Sequence, residues 1–146
     1  MGERFVFDPH DRPVVFYDGH CGMCDAYVQW IVRWDRNEVF LFAPLEGSTG
    51  TELKSSHPEL PAGLDSLVLW EPTAAGGGQV RWYSDAVLGV IRRQGWPWRM
   101  GVVFSCVPRG LRDWMYRRLA SVRYRVFGRR DQCRVPTPAQ ASRFLP

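Results

Sequence analysis

"YDGHCGMCD", Tyr17 to Asp25, sets two cysteines three positions apart, directly after an apolar run. Thiols at this spacing suit a metal as readily as a disulfide, so the flanking residues decide the reading. Upstream, "PVVFYDG" is a short β-rich run closed by Asp-Gly, which predicts a buried strand over Val14–Tyr17. Downstream, Tyr27, Trp30, Ile31 and Trp34 recur at helical spacing, with Asp25, Gln29, Arg33 and Arg36 on the opposite face. That pattern predicts an amphipathic helix over Gly22–Arg36, with the CxxC at its N-terminal end. In "EVFLFAPL", Val39–Phe42 is wholly apolar, as in a strand covered on both faces. A strand, a helix and a strand in about 30 residues make a βαβ unit with a parallel pair.

The rest of the chain extends this frame. Residues 46–64, rich in Gly, Ser, Pro and Glu, predict a loop with a short helix near Thr51–Ser56. "DSLVLWEP" predicts a third strand at Ser66–Trp70, "TAAGGG" a turn, and "QVRWYS" a fourth strand antiparallel to the third. Ser84 and Asp85 open a helix whose apolar face is Val87, Leu88, Val90 and Ile91, and Gly95 can end it. Leu111, Trp114, Met115, Leu119 and Val122 mark a last amphipathic helix, Arg109–Arg123, followed by an irregular tail. The order β-CxxC-α-β-(α)-β-β-α matches the thioredoxin fold. The CxxC at the first strand-to-helix junction makes that match specific. The expectation is one α/β domain over residues 1–146, with a thioredoxin-like core at about 12–95 and a basic helical C-terminal extension at about 96–136.

A helix N-terminus presents unpaired N–H groups and roughly half a positive charge. A thiolate is stabilised there, so more of the attacking species is present. Cys21, at or before the first turn, is the expected nucleophile. Cys24, one turn further in and expected to be the more buried, is the resolving thiol. Asp18 reads as a proton acceptor or as an Asx-turn anchor of the loop. Asp25 in the first turn opposes a thiolate, and a protonated His20 would favour one.

Hydrophobic residues make up 45% of the 146-residue chain and charged residues 23%, enough for a core. No apolar run is long enough to cross a bilayer, and the acidic start "MGERFVFDPHD" has no export core. The expectation is therefore a cytoplasmic protein, where a lone CxxC serves redox or metal chemistry rather than a structural disulfide. The net charge of +4 is uneven. Residues 1–98 carry eight basic and thirteen acidic side chains, whereas residues 99–134 carry ten arginines against Asp113 and Asp131. Such a block attracts phosphates, nucleic acid or anionic lipid, or is simply a solvated face.

Asp18-Gly-His-Cys21-Gly-Met-Cys24 resembles the DxxCxxC signature of the DCC family of thiol-disulfide oxidoreductases. Phe42-Ala43-Pro44-Leu45, "DSLVL" from Asp65, "SDAVL" from Ser84 and "RYRVFGRRDQCRVP" from Arg123 extend the resemblance over most of the chain. It implies a thioredoxin-like fold and dithiol–disulfide exchange. Two departures from thioredoxins point to a narrower or different partner. Asp65-Ser66 stands where thioredoxins keep a cis-proline, with Pro61 the nearest proline, and Val15 replaces their buried carboxylate.

Exchange of this kind needs no cofactor and no metal. It needs a protein disulfide or small-thiol partner and an external electron donor. Cys133 reads as a third redox cysteine or as a packed free thiol, and Cys106, in "VVFSCVP", as a core residue. One CxxC without a second ligand pair argues against structural zinc, although Cys21, Cys24, Cys133 and a histidine would supply four ligands. The tryptophans read as core, with Trp96 and Trp98 around Pro97 as an alternative cleft lining. No nucleic-acid motif accompanies the arginines. The alternative to an enzyme is a non-catalytic adaptor that binds an anionic partner or membrane surface through its arginine-rich face. In that reading Trp114, Met115 and Leu119 enter the headgroups while Arg112, Arg117 and Arg118 meet lipid. The favoured reading packs the same stripe on the domain.

Overall fold

The computed structural model describes residues 12–95, 97–128 and 135–146. β1 (Val14–Tyr17), α1 (Gly22–Trp34), β2 (Leu41–Pro44), α2 (Ser48–Ser56), β3 (Val68–Pro72), β4 (Gly78–Trp82) and α3 (Ser84–Arg93) follow in order. The strands form one sheet in the order β2-β1-β3-β4. β1 runs parallel to β2 and antiparallel to β3, and β3 pairs antiparallel with β4. This is the thioredoxin-like topology, with the expected hairpin at β3–β4.

Why the strands read as unbroken apolar runs is plain from their two faces. Val15, Phe42 and Leu69 point to the layer of α1 and α3, where they meet Val28, Ile31, Ala86 and Val90. Val14, Phe16, Leu41 and Val68 point the other way, onto Leu53 of α2 and Leu64. A strand covered on both sides alternates in direction while remaining apolar throughout. α2 lies close because Gly50 has no side chain. A Cβ there would stand 2.5 Å from the Leu45 carbonyl oxygen and 2.6 Å from that of Pro44. Gly50→Ala is expected to lower the unfolding free energy by about 1–3 kcal/mol, measured by urea denaturation. An unchanged midpoint would mean that α2 does not need this approach.

Boundaries move where side chains claim backbone groups. α1 stops at Trp34, short of Arg36, and β2 begins at Leu41, later than Val39. The Asp35 carboxylate accepts the Val39 and Phe40 amides at 3.0 and 2.9 Å, and so occupies donors at the approach to β2. The chain returns to this edge at its far end. Phe144 bridges Phe42 in parallel, the Leu145 amide donates to the Phe42 carbonyl at 2.7 Å, and Arg143 is buried against Asp35. The edge of β2 is thereby covered.

After α3, a 3-10 segment (Trp98–Cys106) leads into α4 (Arg109–Phe127), which runs past Arg123 into the stretch read as irregular. The 3-10 segment packs on α3, and α4 on α1 and α3. The structure departs from three expectations in this region. Leu111, Trp114, Met115, Leu119 and Val122 are exposed rather than packed on the domain, because α4 turns Tyr116 and Asp113 inward instead. Cys106 is exposed at the end of the 3-10 segment, not buried in the core. Trp34 and Trp114 are also exposed, whereas Trp70 is core. Trp98 packs edge-on against Trp30 and Trp34 and lines a recess of about 350 Å³ with Gln94. Trp96, His10 and Cys133 lie outside the described residues.

Candidate active site at the first strand–helix junction

β1 delivers the chain to a tight loop, Asp18-Gly19-His20, that feeds α1. The loop is tied from both sides. The His20 amide donates to Asp18 Oδ1 at 2.9 Å, and the Cys21 amide to the Asp18 carbonyl at 3.2 Å. Asp18 is buried and makes the Asx turn read from its Asp-Gly context. The Gly19 amide donates to Glu46 Oε2 at 3.2 Å, from beyond β2. Glu46 was not singled out in the sequence, and no local pattern marks it.

Cys21 is the N-cap of α1. Its backbone is extended, at φ −93° and ψ 117°, and its Sγ accepts the Cys24 amide at 3.4 Å. An N-cap oxygen satisfies one of the orphan amides of the first turn, and here a sulfur takes that place. The same bond brings positive helix-end dipole to the atom that would carry a thiolate charge. Cys24 follows one turn along, and neither residue is in a disulfide. The expected order of burial is reversed, with Cys21 0% exposed and Cys24 4%. The cap bond turns the Cys21 side chain back over the helix, into the cluster of Val15, Tyr17 and Val28. Cys24 instead faces a groove. Asp25 is buried beside it in the first turn.

That groove is apolar, about 340 Å³, and lined by Met23, Cys24, Tyr27, Leu67, Val87, Tyr116 and Leu119. Its outer wall therefore comes from α4. Tyr116 fixes this wall by accepting the Leu67 amide at 3.3 Å, just ahead of β3. The Tyr27 hydroxyl is buried with no hydrogen-bond partner among the described residues. Burial, then the nearby Tyr116, raises its phenol above the usual tyrosine range. Ser66, of the Asp65-Ser66 pair ahead of β3, is buried next to Leu67. Tyr116 escaped the sequence reading because its part depends on α4 crossing back over α1. Among the described residues, no three His, Cys, Asp or Glu side chains converge to hold a metal ion.

A thioredoxin-like sheet with a CxxC capping its first helix defines the thiol-disulfide oxidoreductase class of fold and motif. The chain belongs to the DCC1-like thiol-disulfide oxidoreductase family, whose model matches residues 15–129. It is 35% identical over 133 residues to the uncharacterized protein YuxK of Bacillus subtilis (strain 168), covering 91% of this chain and 93% of that one. It is 30% identical over 128 residues to the chloroplastic DCC family protein At1g52590 of Arabidopsis thaliana, covering 87% and 72%. No solved structure matches significantly.

Proposed function

We propose that the protein exchanges its Cys21–Cys24 dithiol with the disulfide of a protein or small-thiol partner. The observation that carries this reading is the Cys24 amide donating to Cys21 Sγ at the start of α1. Cys21 thiolate attacks one partner sulfur, the partner disulfide breaks, and the released partner thiolate takes up a proton. Cys24, deprotonated in turn, attacks Cys21 Sγ. This frees the second partner thiol and closes the Cys21–Cys24 disulfide. Two electrons pass to the partner, and an external dithiol or small thiol returns them. Asp18 holds the loop that presents Cys21 and accepts a proton as the thiol ionises. The apolar groove beside Cys24 seats the partner's apolar side chains. Because Cys21 is buried, the partner must shift the side chains around it as it docks. The cytosol, where thiols stay mostly reduced, is the setting that suits such a pair. Cys133 would act as a third redox thiol.

Trapping tests the proposal. Cys24→Ala leaves Cys21 without its resolving partner, so a mixed disulfide on Cys21 should accumulate and be identified by mass spectrometry. If nothing is captured, and the wild-type pair does not equilibrate with a glutathione buffer, the assignment is wrong.

A further inference from the structure

We propose that the outer face of α4, with the 3-10 segment before it, docks on an anionic membrane surface. Met100, Phe104, Leu111, Trp114, Met115 and Val126 are each 50–69% exposed. Large apolar side chains this exposed, grouped on two consecutive elements, mark a binding surface rather than scattered exceptions. On α4 the grouping is regular. Leu111, Met115, Leu119, Val122 and Val126 recur at steps of three or four residues, which makes one stripe along the helix. The inward side is occupied differently, by Tyr116 on the Leu67 amide and Asp113 on the Ser84 hydroxyl.

Charge decides what covers the stripe. Arg118 and Arg125 border it, and the Arg118 guanidinium lies 5.9 Å from the centre of the Trp114 ring. The acidic side chain of α4, Asp113, faces inward and meets Ser84 and Arg109. An isologous pairing with a second copy would bring two copies of the same basic patch together, and the inward-facing Asp113 could not meet the partner's arginines. A bilayer surface with anionic headgroups complements them. The apolar side chains enter the acyl boundary, and the long arginine stems reach back to phosphate. No helix among the described residues is long and apolar enough to cross a membrane, so the contact is with its surface. Leu119 belongs both to the stripe and to the wall of the Cys24 groove. Docking therefore brings the groove to the level of the headgroups.

The test is co-sedimentation of the full chain with vesicles of phosphatidylcholine alone or with phosphatidylglycerol added. Binding is expected only to the anionic vesicles, and it should weaken as salt rises. Leu111→Asp with Met115→Asp should cut partitioning by roughly tenfold or more. Arg118→Glu with Arg125→Glu, which leaves the apolar stripe in place, should do the same. Circular dichroism checks that both variants fold. Absence of binding to anionic vesicles, equal binding to neutral ones, or binding unchanged in the folded variants overturns the proposal. So does a dimer in sedimentation analysis that Met115→Asp breaks without any vesicle binding in the wild type.

Discussion

Cys21→Ser is expected to reduce disulfide exchange to the uncatalysed background while shifting the unfolding free energy by no more than about 1 kcal/mol. The two readouts separate because they use different properties of the same atom. Serine oxygen accepts an N2 or N3 amide as well as any cap, so the Cys24 amide keeps its partner and α1 keeps its first turn. A hydroxyl is far weaker as a nucleophile and cannot form the mixed disulfide, so the chemistry stops. The measurement belongs in a Cys106→Ser background, since Cys106 is exposed and would otherwise react with the probe first. Cys24→Ser should behave differently, allowing the first attack and stalling with the partner attached to Cys21. Burial adds a further expectation. With Cys21 fully covered, small alkylating agents should modify it much faster than bulky ones. If exchange survives Cys21→Ser and fails in Cys24→Ser, the groove-facing sulfur is the attacking one and the two roles must be inverted.

What could be read from residues alone follows the range of the interactions. The βαβ unit was legible because Val14–Tyr17, the Tyr27-Trp30-Ile31-Trp34 spacing and the apolar run after it are local patterns with local causes. The place of the CxxC followed from the same frame. Three features that shape the site have no such signature. Glu46 reaches Gly19 across 27 positions, Tyr116 reaches Leu67 across 49, and Arg143 reaches Asp35 across 108. Each depends on the folded path of the chain rather than on spacing. The burial of Cys21 is of this kind too. It depends on which way the cap bond turns the side chain, which a CxxC motif does not specify. For α4 the periodicity revealed the apolar stripe correctly but not its surroundings. An amphipathic pattern says that one face avoids water, and is silent on whether protein, lipid or another chain meets it. The corresponding error at Cys106 came from apolar neighbours that are themselves on the surface.

Arg143→Met is expected to cost about 3–5 kcal/mol of unfolding free energy, a large part of the total for a domain of this size. The reason lies in what the guanidinium leaves behind. Arg143 and Asp35 are paired with side chains 5% and 4% exposed. Arg143 also donates to the Phe40 carbonyl at 3.2 and 3.3 Å and lies 5.3 Å from the centre of the Phe42 ring. Methionine fills much of the volume but offers no charge. The Asp35 carboxylate then keeps the Val39 and Phe40 amides, loses its counter-ion and stays buried. An uncompensated buried charge is far costlier than the net worth of the pair. Asp35→Asn combined with Arg143→Met removes both charges, so the double variant should be more stable than Arg143→Met alone; the coupling between the two groups is the change in the double variant minus the changes in Arg143→Met and Asp35→Asn taken singly. Denaturant titration of the four proteins measures it. A loss below about 1 kcal/mol for Arg143→Met would place the pair among weak surface bridges and would mean that water reaches Asp35. The clamp joins the end of α1 to the segment covering the β2 edge, at the opposite end of α1 from Cys21. Exchange per folded molecule should therefore persist in Arg143→Met, and a fall in activity should track only the fraction unfolded.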